Sequence, residues 1–115
     1  MSDGCLFCNI INGDIPADII DQTESALAFR DINPQASTHI LVIPKKHIQS
    51  SIDLNEDNIH YLSEMIFLAQ NISLDESIIK KGYRWIINTG NHGGQTVHHL
   101  HLHVMGGRNM TWPPG

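Results

Sequence analysis

His99, His101 and His103 alternate with Leu100, Leu102 and Val104 through the run Val97–Val104. Side chains of an extended strand point alternately to its two faces, so the three imidazoles share one face at a spacing of about 6.6 Å. The two leucines and the valine share the other, an apolar face able to seat the strand on a core. A helix would scatter the histidines around its circumference. Imidazole titrates near neutrality, so such a row can move protons, bind a metal or attack an electrophile. One metal held by all three is disfavoured, because about 13 Å separates the outer two rings in an extended strand. General acid–base chemistry, a nucleophilic histidine with helpers, a metal ligand shared with other residues and a merely polar, solvent-facing strand remain open. The preceding loop, Thr89-Gly90-Asn91-His92-Gly93-Gly94-Gln95, has the small residues that tight backbone geometry requires, and weighs against the solvent-facing reading.

Cys5 and Cys8 are the only cysteines. Their spacing is that of half a zinc site or of a thioredoxin-like redox motif, and a zinc site needs two further ligands. A redox motif would follow a β-strand, whereas this pair lies on helical spacing with Leu6, Phe7, Ile10 and Ile11.

The elements that must position these groups can be read in outline. The first helix is about two turns long and Gly13 ends it. Short strands are expected around Ile19–Asp21, Ala26–Arg30 and His39–Ile43, where Pro44 stops the run, with Asp31-Ile32-Asn33-Pro34 as the turn between the last two. Asp53 and Glu56 form a capping-box pattern that opens the main helix, whose apolar positions are Ile59, Leu62, Ile66, Ala69 and Ile72. Ser73–Lys81 continues or restarts helix up to Gly82. Tyr83–Asn88 reads as a buried strand that pairs, hairpin-like, with the histidine strand. Strands and helices do not alternate regularly, so the class is α+β with an antiparallel sheet.

A chain of 115 residues has room for one domain and one core. The net charge of −5 and seven dispersed Lys and Arg exclude binding along a nucleic-acid polymer, which needs clustered cations, but leave room for a single small phosphate ligand. No basic segment followed by an apolar stretch opens the sequence, so the expected setting is the cytoplasm, away from membranes.

His99-Leu100-His101-Leu102-His103-Val104-Met105 resembles the histidine-triad motif of the HIT superfamily. The likeness extends through Asp31–Ala36, Thr38–Ile48, Gly93-Gly94-Gln95, Gly106-Gly107-Arg108 and the ending Trp112-Pro113-Pro114-Gly115, which together resemble the Hint branch, the nucleoside phosphoramidases. The resemblance implies a single HIT domain over residues 1–115. Its fold would be an antiparallel sheet of about five strands, one long helix and one or two short ones, with the sheet continued across a homodimer. It also implies hydrolysis of purine nucleoside phosphoramidates through a nucleotidyl-histidine, without an organic cofactor.

Carried over by position, His101 is the nucleophile, and His103 contacts the phosphate and assists the departing amine. His99 and His39 complete the catalytic set. Backbone amides of Gly93, Gly94, Gln95 and Thr96 would hold phosphate oxygens, with Val97 and Asn88 beside them. Asp31 would bind the ribose hydroxyls, although an aspartate before Asn33-Pro34 also serves a turn. Phe7, Ile10 and Ile32 would form the base pocket, although the first two also suit a plain core. Trp112 would belong to a tail reaching the partner's site. Relatives carrying the cysteine pair complete a zinc site at the positions of His47 and His99, so Cys5, Cys8, His47 and His99 form a candidate structural zinc set. Two residues depart from the Hint pattern: His98 where tyrosine is usual, and Thr96 where serine is usual. Two other readings stand beside this one: hydrolysis of dinucleoside polyphosphates, where the related branch has glutamine at the position of His103, and a nucleotide- or zinc-binding module with little turnover.

Overall fold

Ala26–Phe29 and Ile40–Ile43 are apolar without interruption, the pattern of strands covered on both faces. In the computed structural model, which describes residues 4–115, they lie in β2 (Ala26–Arg30) and β3 (Thr38–Pro44). Three further strands, β1 (Ile19–Gln22), β4 (Tyr83–Ile86) and β5 (Leu102–Gly106), complete one five-stranded sheet in the order β1-β2-β3-β5-β4. All four pairings are antiparallel. The helices are α1 (Leu6–Ile11) and α2 (Ile59–Asp75). None of the described helices is long and apolar enough to cross a membrane.

The two faces of the sheet are divided by residue parity. Ala26, Ala28, Ile40, Val42, Leu102 and Val104 pack with Met65, Leu68, Ala69 and Ile72 of α2. The alanines of β2 let the helix approach closely. Leu27, Phe29, Leu41 and Ile43 point the other way and pack with Phe7 and Ile10 of α1. α1 is too short to cover that face, and His99 and His101 pack edge-on against Phe7 beside it.

The structure corrects several expectations. The histidine run is a ladder-paired strand only from Leu102, where it opposes Val42. Before that point Leu100 N–H donates to Ile48 O at 2.7 Å, while His99 Nε2 bonds Pro44 O at 2.8 Å. Pro44 has no N–H to extend the ladder, and its carbonyl is taken by a side chain. The alternation nonetheless holds, since Leu100 is buried in the same cluster as Leu102 and Val104. Asp53 does not open the main helix. Its carboxylate accepts from Ser50 N–H at 3.1 Å, closing a capping box upstream on the 3₁₀ turn Ser51–Asp53. α2 begins at Ile59, after a turn in which Asn55 Oδ1 accepts from the backbone of Asp57 and Asn58. It stops at Asp75, short of the expected continuation, with Ser77 at φ 61°. β4 ends at Ile86 rather than Asn88, and it is exposed to half-buried rather than buried, as an edge strand of the sheet.

A forked ion pair ties the end of α2 to the sheet. Arg30 Nη1 and Nη2 donate to Glu76 Oε1 and Oε2 at 2.9 and 3.0 Å, and Thr38 Oγ1 donates to Oε1 at 3.3 Å. Arg30 is partly exposed, so Glu76→Gln is expected to cost about 1 kcal/mol in urea unfolding at pH 7. The hydrogen bonds from Arg30 hold the Glu76 carboxyl below its ordinary 4.5. That stabilisation is complete above pH 4.5 and fades as pH falls through the lowered value, so wild type and variant should converge in acid.

Candidate active site and metal centre

A cleft of about 250 Å³ opens on the α1 face of the sheet. It is lined by apolar Phe7 and Ile10 of α1 with Phe29 and Leu41, and by Asp31, Thr96, Val97, His101 and His103. Ile32, 99% exposed, stands at the rim as an apolar side chain that only a ligand or partner would cover. Sequence reasoning missed Ile15, Pro16 and Ala17 on the cleft wall. Their signal was an apolar Ile-Pro-Ala segment that follows Gly13 and Asp14 at the end of α1.

Hydrogen bonds fix which nitrogen of each histidine carries the proton. His101 Nδ1 lies 2.7 Å from His99 O, an atom that only accepts, so His101 is protonated on Nδ1 and its Nε2 lone pair is bare. Phe7 packs edge-on against this ring at a centroid distance of 5.1 Å. Burial pushes the His101 pKa below the ordinary imidazole value, keeping the ring neutral. On β3, His39 Nδ1 accepts from Gln35 N–H at 3.0 Å, leaving Nε2–H as the donor. That donor faces His103 Nδ1 at 2.9 Å and Asp31 Oδ2 at 3.4 Å. The register explains the meeting: Leu41 opposes His103 and His39 opposes Met105, so the two histidines are diagonal neighbours on one face. His103 therefore accepts at Nδ1 and carries its own proton on Nε2. The site combines a nucleophilic lone pair on His101 with a donor on His103, their rings 5.1 Å apart.

Burial, reinforced by His101 and His39, lowers the His103 pKa to about 4, against which the Asp31 carboxylate acts weakly. Between about 4 and 6.5 the unfolded chain thus binds more protons at this site than the folded one, so stability is full above 6.5 and declines as pH falls through that window. Replacing His103 with Gln should remove up to about 3 kcal/mol of the acid-dependent loss, read from urea midpoints at pH 7 and pH 4.5.

Asp31 serves two ends at once. Its Oδ1 accepts from Asn33 N–H at 2.9 Å and makes the turn, while Oδ2 faces His39 and the cleft. The glycine loop spends part of its donors on itself: Gly94 N–H goes to Asn91 O and Gln95 N–H to Gly90 O. The Gln95 side chain is buried and holds Gly90 N–H, Gln49 O and Val97 O. Gly94 and Gln95 thus shape the loop, and Thr96 and Val97 are its members at the cleft. Asn88 borders the glycine loop, its Nδ2 being 3.9 Å from where a Cβ on Gly94 would stand, and it also lines a second hollow with Trp85 and Trp112 along β4. Trp112 is 84% exposed.

Cys5, Cys8, His47 and His99 converge from four points of the sequence, and their ligand atoms all lie within 4.8 Å of one another. Cys5 Sγ is 3.4 Å from both His47 Nδ1 and His99 Nδ1. Cys8 Sγ is 3.2 Å from the first and 3.5 Å from the second. The two Nδ1 atoms are 3.1 Å apart. Tetrahedral zinc, with bonds of about 2.3 Å to sulfur and 2.0 Å to nitrogen, places S and N donors roughly 3.5 Å apart, so the set fits. The chemistry agrees: His99 donates Nε2–H to Pro44 O, which leaves Nδ1 bare, and burial lowers its pKa to about 4. A buried neutral imidazole oriented by a backbone carbonyl is the usual form of a histidine ligand.

The fold, the paired histidines and the Cys₂His₂ set together define a histidine-triad protein, and the chain belongs to the HIT domain family, whose pattern matches residues 12–110. It is 45% identical over 110 residues to the purine nucleoside phosphoramidase of Escherichia coli K12, covering 96% of this chain and 92% of that protein. It is also 45% identical, over the full length of both, to an uncharacterized HIT-like protein of Synechococcus elongatus. Among solved structures it resembles a HIT family hydrolase from Legionella pneumophila with a TM-score of 0.95 at 48% identity, covering 97% of this chain and all of that one.

Proposed function

We propose that this protein hydrolyses purine nucleoside 5′-phosphoramidates through a covalent intermediate on His101. The observation that carries the reading is the bond from His101 Nδ1–H to His99 O at 2.7 Å, which leaves a bare Nε2 beside an apolar cleft. The similarity to the Escherichia coli enzyme supports the substrate class. In this reading the base lies against Phe7, Ile10 and Ile32, and Asp31 Oδ2 accepts from the ribose hydroxyls. The phosphate meets Thr96, Val97, His101 and His103, at the end of a loop held in shape by Gly94 and Gln95. His101 Nε2 forms a bond to phosphorus as the bond to the amine breaks, while His103 Nε2–H hydrogen-bonds the charge that gathers on the phosphate and leaving nitrogen. The leaving nitrogen takes a proton from solvent and departs as the neutral amine, a proton that the later attack of water returns to solvent. Positive charge arising on the attacking imidazole is stabilised by His99 O. Water then displaces His101 and gives the nucleoside monophosphate. His39 acts through His103, whose orientation it sets.

Zinc is the proposed occupant of Cys5, Cys8, His47 and His99, supported by their soft donors and mutual distances. Bound there it would fasten α1, which carries the base-pocket residues, to the histidine run. The whole chain acts as one HIT domain, and the cytoplasm, where both thiols stay reduced, is its proposed setting. A homodimer continuing the sheet across β4 is also proposed. It would cover the outer edge of the sheet and bring Trp112 and the hollow beside Asn88 to the partner's site.

The test is release of nucleoside monophosphate from adenosine 5′-phosphoramidate, compared with a diadenosine polyphosphate. Turnover of the phosphoramidate with an amine product supports the reading. Faster cleavage of the polyphosphate, or tight nucleotide binding without turnover of either, overturns it.

A further inference from the structure

We propose that Arg108 is a positioning residue for His103, acting through the backbone of Gln35 and the ring of His39 to keep the His103 proton on the nitrogen that faces the cleft. The inference rests on the role given above to His103, but its main readout needs no substrate.

The connection can be followed atom by atom. Arg108 Nε donates to Gln35 O at 2.8 Å, fastening a turn already tied by Asn33 N–H to Asp31 Oδ1 and by Gln35 Nε2 to Asn33 O. Held there, Gln35 N–H meets His39 Nδ1 at 3.0 Å. A backbone amide can only donate, so the single proton of neutral His39 must sit on Nε2. His39 Nε2–H in turn faces His103 Nδ1 at 2.9 Å, and the single proton of neutral His103 must sit on its Nε2.

The alternative arrangement explains why one amide matters. Without the Gln35 donor, His39 can carry its proton on Nδ1 and present a bare Nε2. His103 then donates from Nδ1, and its Nε2 becomes a lone pair turned toward an anionic phosphate. The same two rings at the same distance thus present either a donor or an acceptor to the cleft. The groups facing His39 and His103 are Asp31, His101 and each other. Asp31 Oδ2, at 3.4 Å from His39 Nε2, favours the first arrangement but does not enforce it as a second donor would.

The local sequence is built to aim Arg108. Gly107 has φ +92°, and a Cβ there would collide with Ser37 Oγ. A Cβ on Gly106 would lie 2.8 Å from the Ile78 side chain. Gly107 lets the end of β5 pass close to Ser37 of the β2–β3 turn, where Arg108 reaches the carbonyl of Gln35, while Gly106 makes room for Ile78 after α2. None of the cleft-lining residues accounts for this arginine.

The experiment records long-range ¹H–¹⁵N correlations of the histidine rings in ligand-free wild type, Arg108→Ala and Arg108→Lys at pH 7.5, alongside steady-state rates with adenosine 5′-phosphoramidate. In wild type both His39 and His103 are expected as Nε2–H forms. Arg108→Ala should convert both to mixtures and lower kcat about tenfold with KM within about twofold, the scale of a lost orienting bond. The lysine variant, which keeps a donor, should restore both readouts. Nδ1–H on His103 in wild type, or unmixed Nε2–H forms in Arg108→Ala whatever its rate, overturns the proposal. If the phosphoramidate is not a substrate, the ring spectra still decide this point separately. If Arg108→Ala does not fold, Arg108→Met, which keeps the aliphatic stem, is read in the same way.

Discussion

Replacing His101 with Asn is expected to lower kcat for adenosine 5′-phosphoramidate by about 10⁴-fold or more, while adenosine monophosphate still binds within a fewfold of wild type. The size follows from the role: loss of a nucleophile removes the whole reaction path, and what survives is background binding and electrostatic stabilisation. Binding survives because the apolar lining, Phe7, Ile10, Phe29 and Leu41, is untouched. Asn is close in shape to part of the imidazole and can still donate to His99 O, so the fold is expected to hold, checked by the thermal midpoint. A fall in rate of tenfold or less would mean that another group attacks phosphorus. Comparable losses in kcat and in nucleotide affinity would mean that His101 shapes the pocket instead.

The second large effect concerns the cysteine–histidine cluster. Zinc measured in protein purified without added metal is expected near one per chain, and Cys8→Ser is expected to abolish it. The thermal midpoint should fall by about 10 °C, roughly 2 kcal/mol for a domain of this size. The sheet and α2 should remain folded, because their core of Met65, Leu68, Ile72, Val42 and Val104 contains none of the four ligands. α1 is the vulnerable part: six residues cannot hold helix without tertiary ties, and Cys5 and Cys8 are two of them. Loss of metal should therefore raise KM through Phe7 and Ile10 more than it lowers kcat, and hydrogen exchange should quicken in residues 5–12 before it does in β3. Protein prepared without zinc, with reduced thiols and unchanged α1 protection, would show that the four side chains need no ion.

What was legible in the sequence had a local cause. β2 is legible because Ala26–Phe29 is apolar between turn signals, and α1 is legible in outline because its stripe is followed by a glycine with φ +81°. The alternation of the histidines gave their common face even where ladder pairing fails. Misreadings arose where a side chain had two credible partners. Asp53 resembled an N-cap for the helix downstream, but bonds Ser50 upstream, and no local pattern separates the two. The alternation overstates the length of the histidine strand because its pairing is cut by Pro44 on a distant segment. The proton positions on His39 and His103 lie beyond the sequence for the same reason. They depend on the Gln35 amide meeting His39, whereas the resemblance already implies that a ring nitrogen of His101 donates to a backbone carbonyl of its own strand, as it does to His99 O.

Covalent attack by His101 is most directly tested by the mass of the intact chain during turnover. Protein mixed with excess adenosine 5′-phosphoramidate and quenched in denaturant within milliseconds should carry one adenylyl group, mapped by fragmentation to His101, and His101→Asn should carry none. Turnover by wild type with no adduct at any quench time, or an adduct mapped to another residue, would contradict the account.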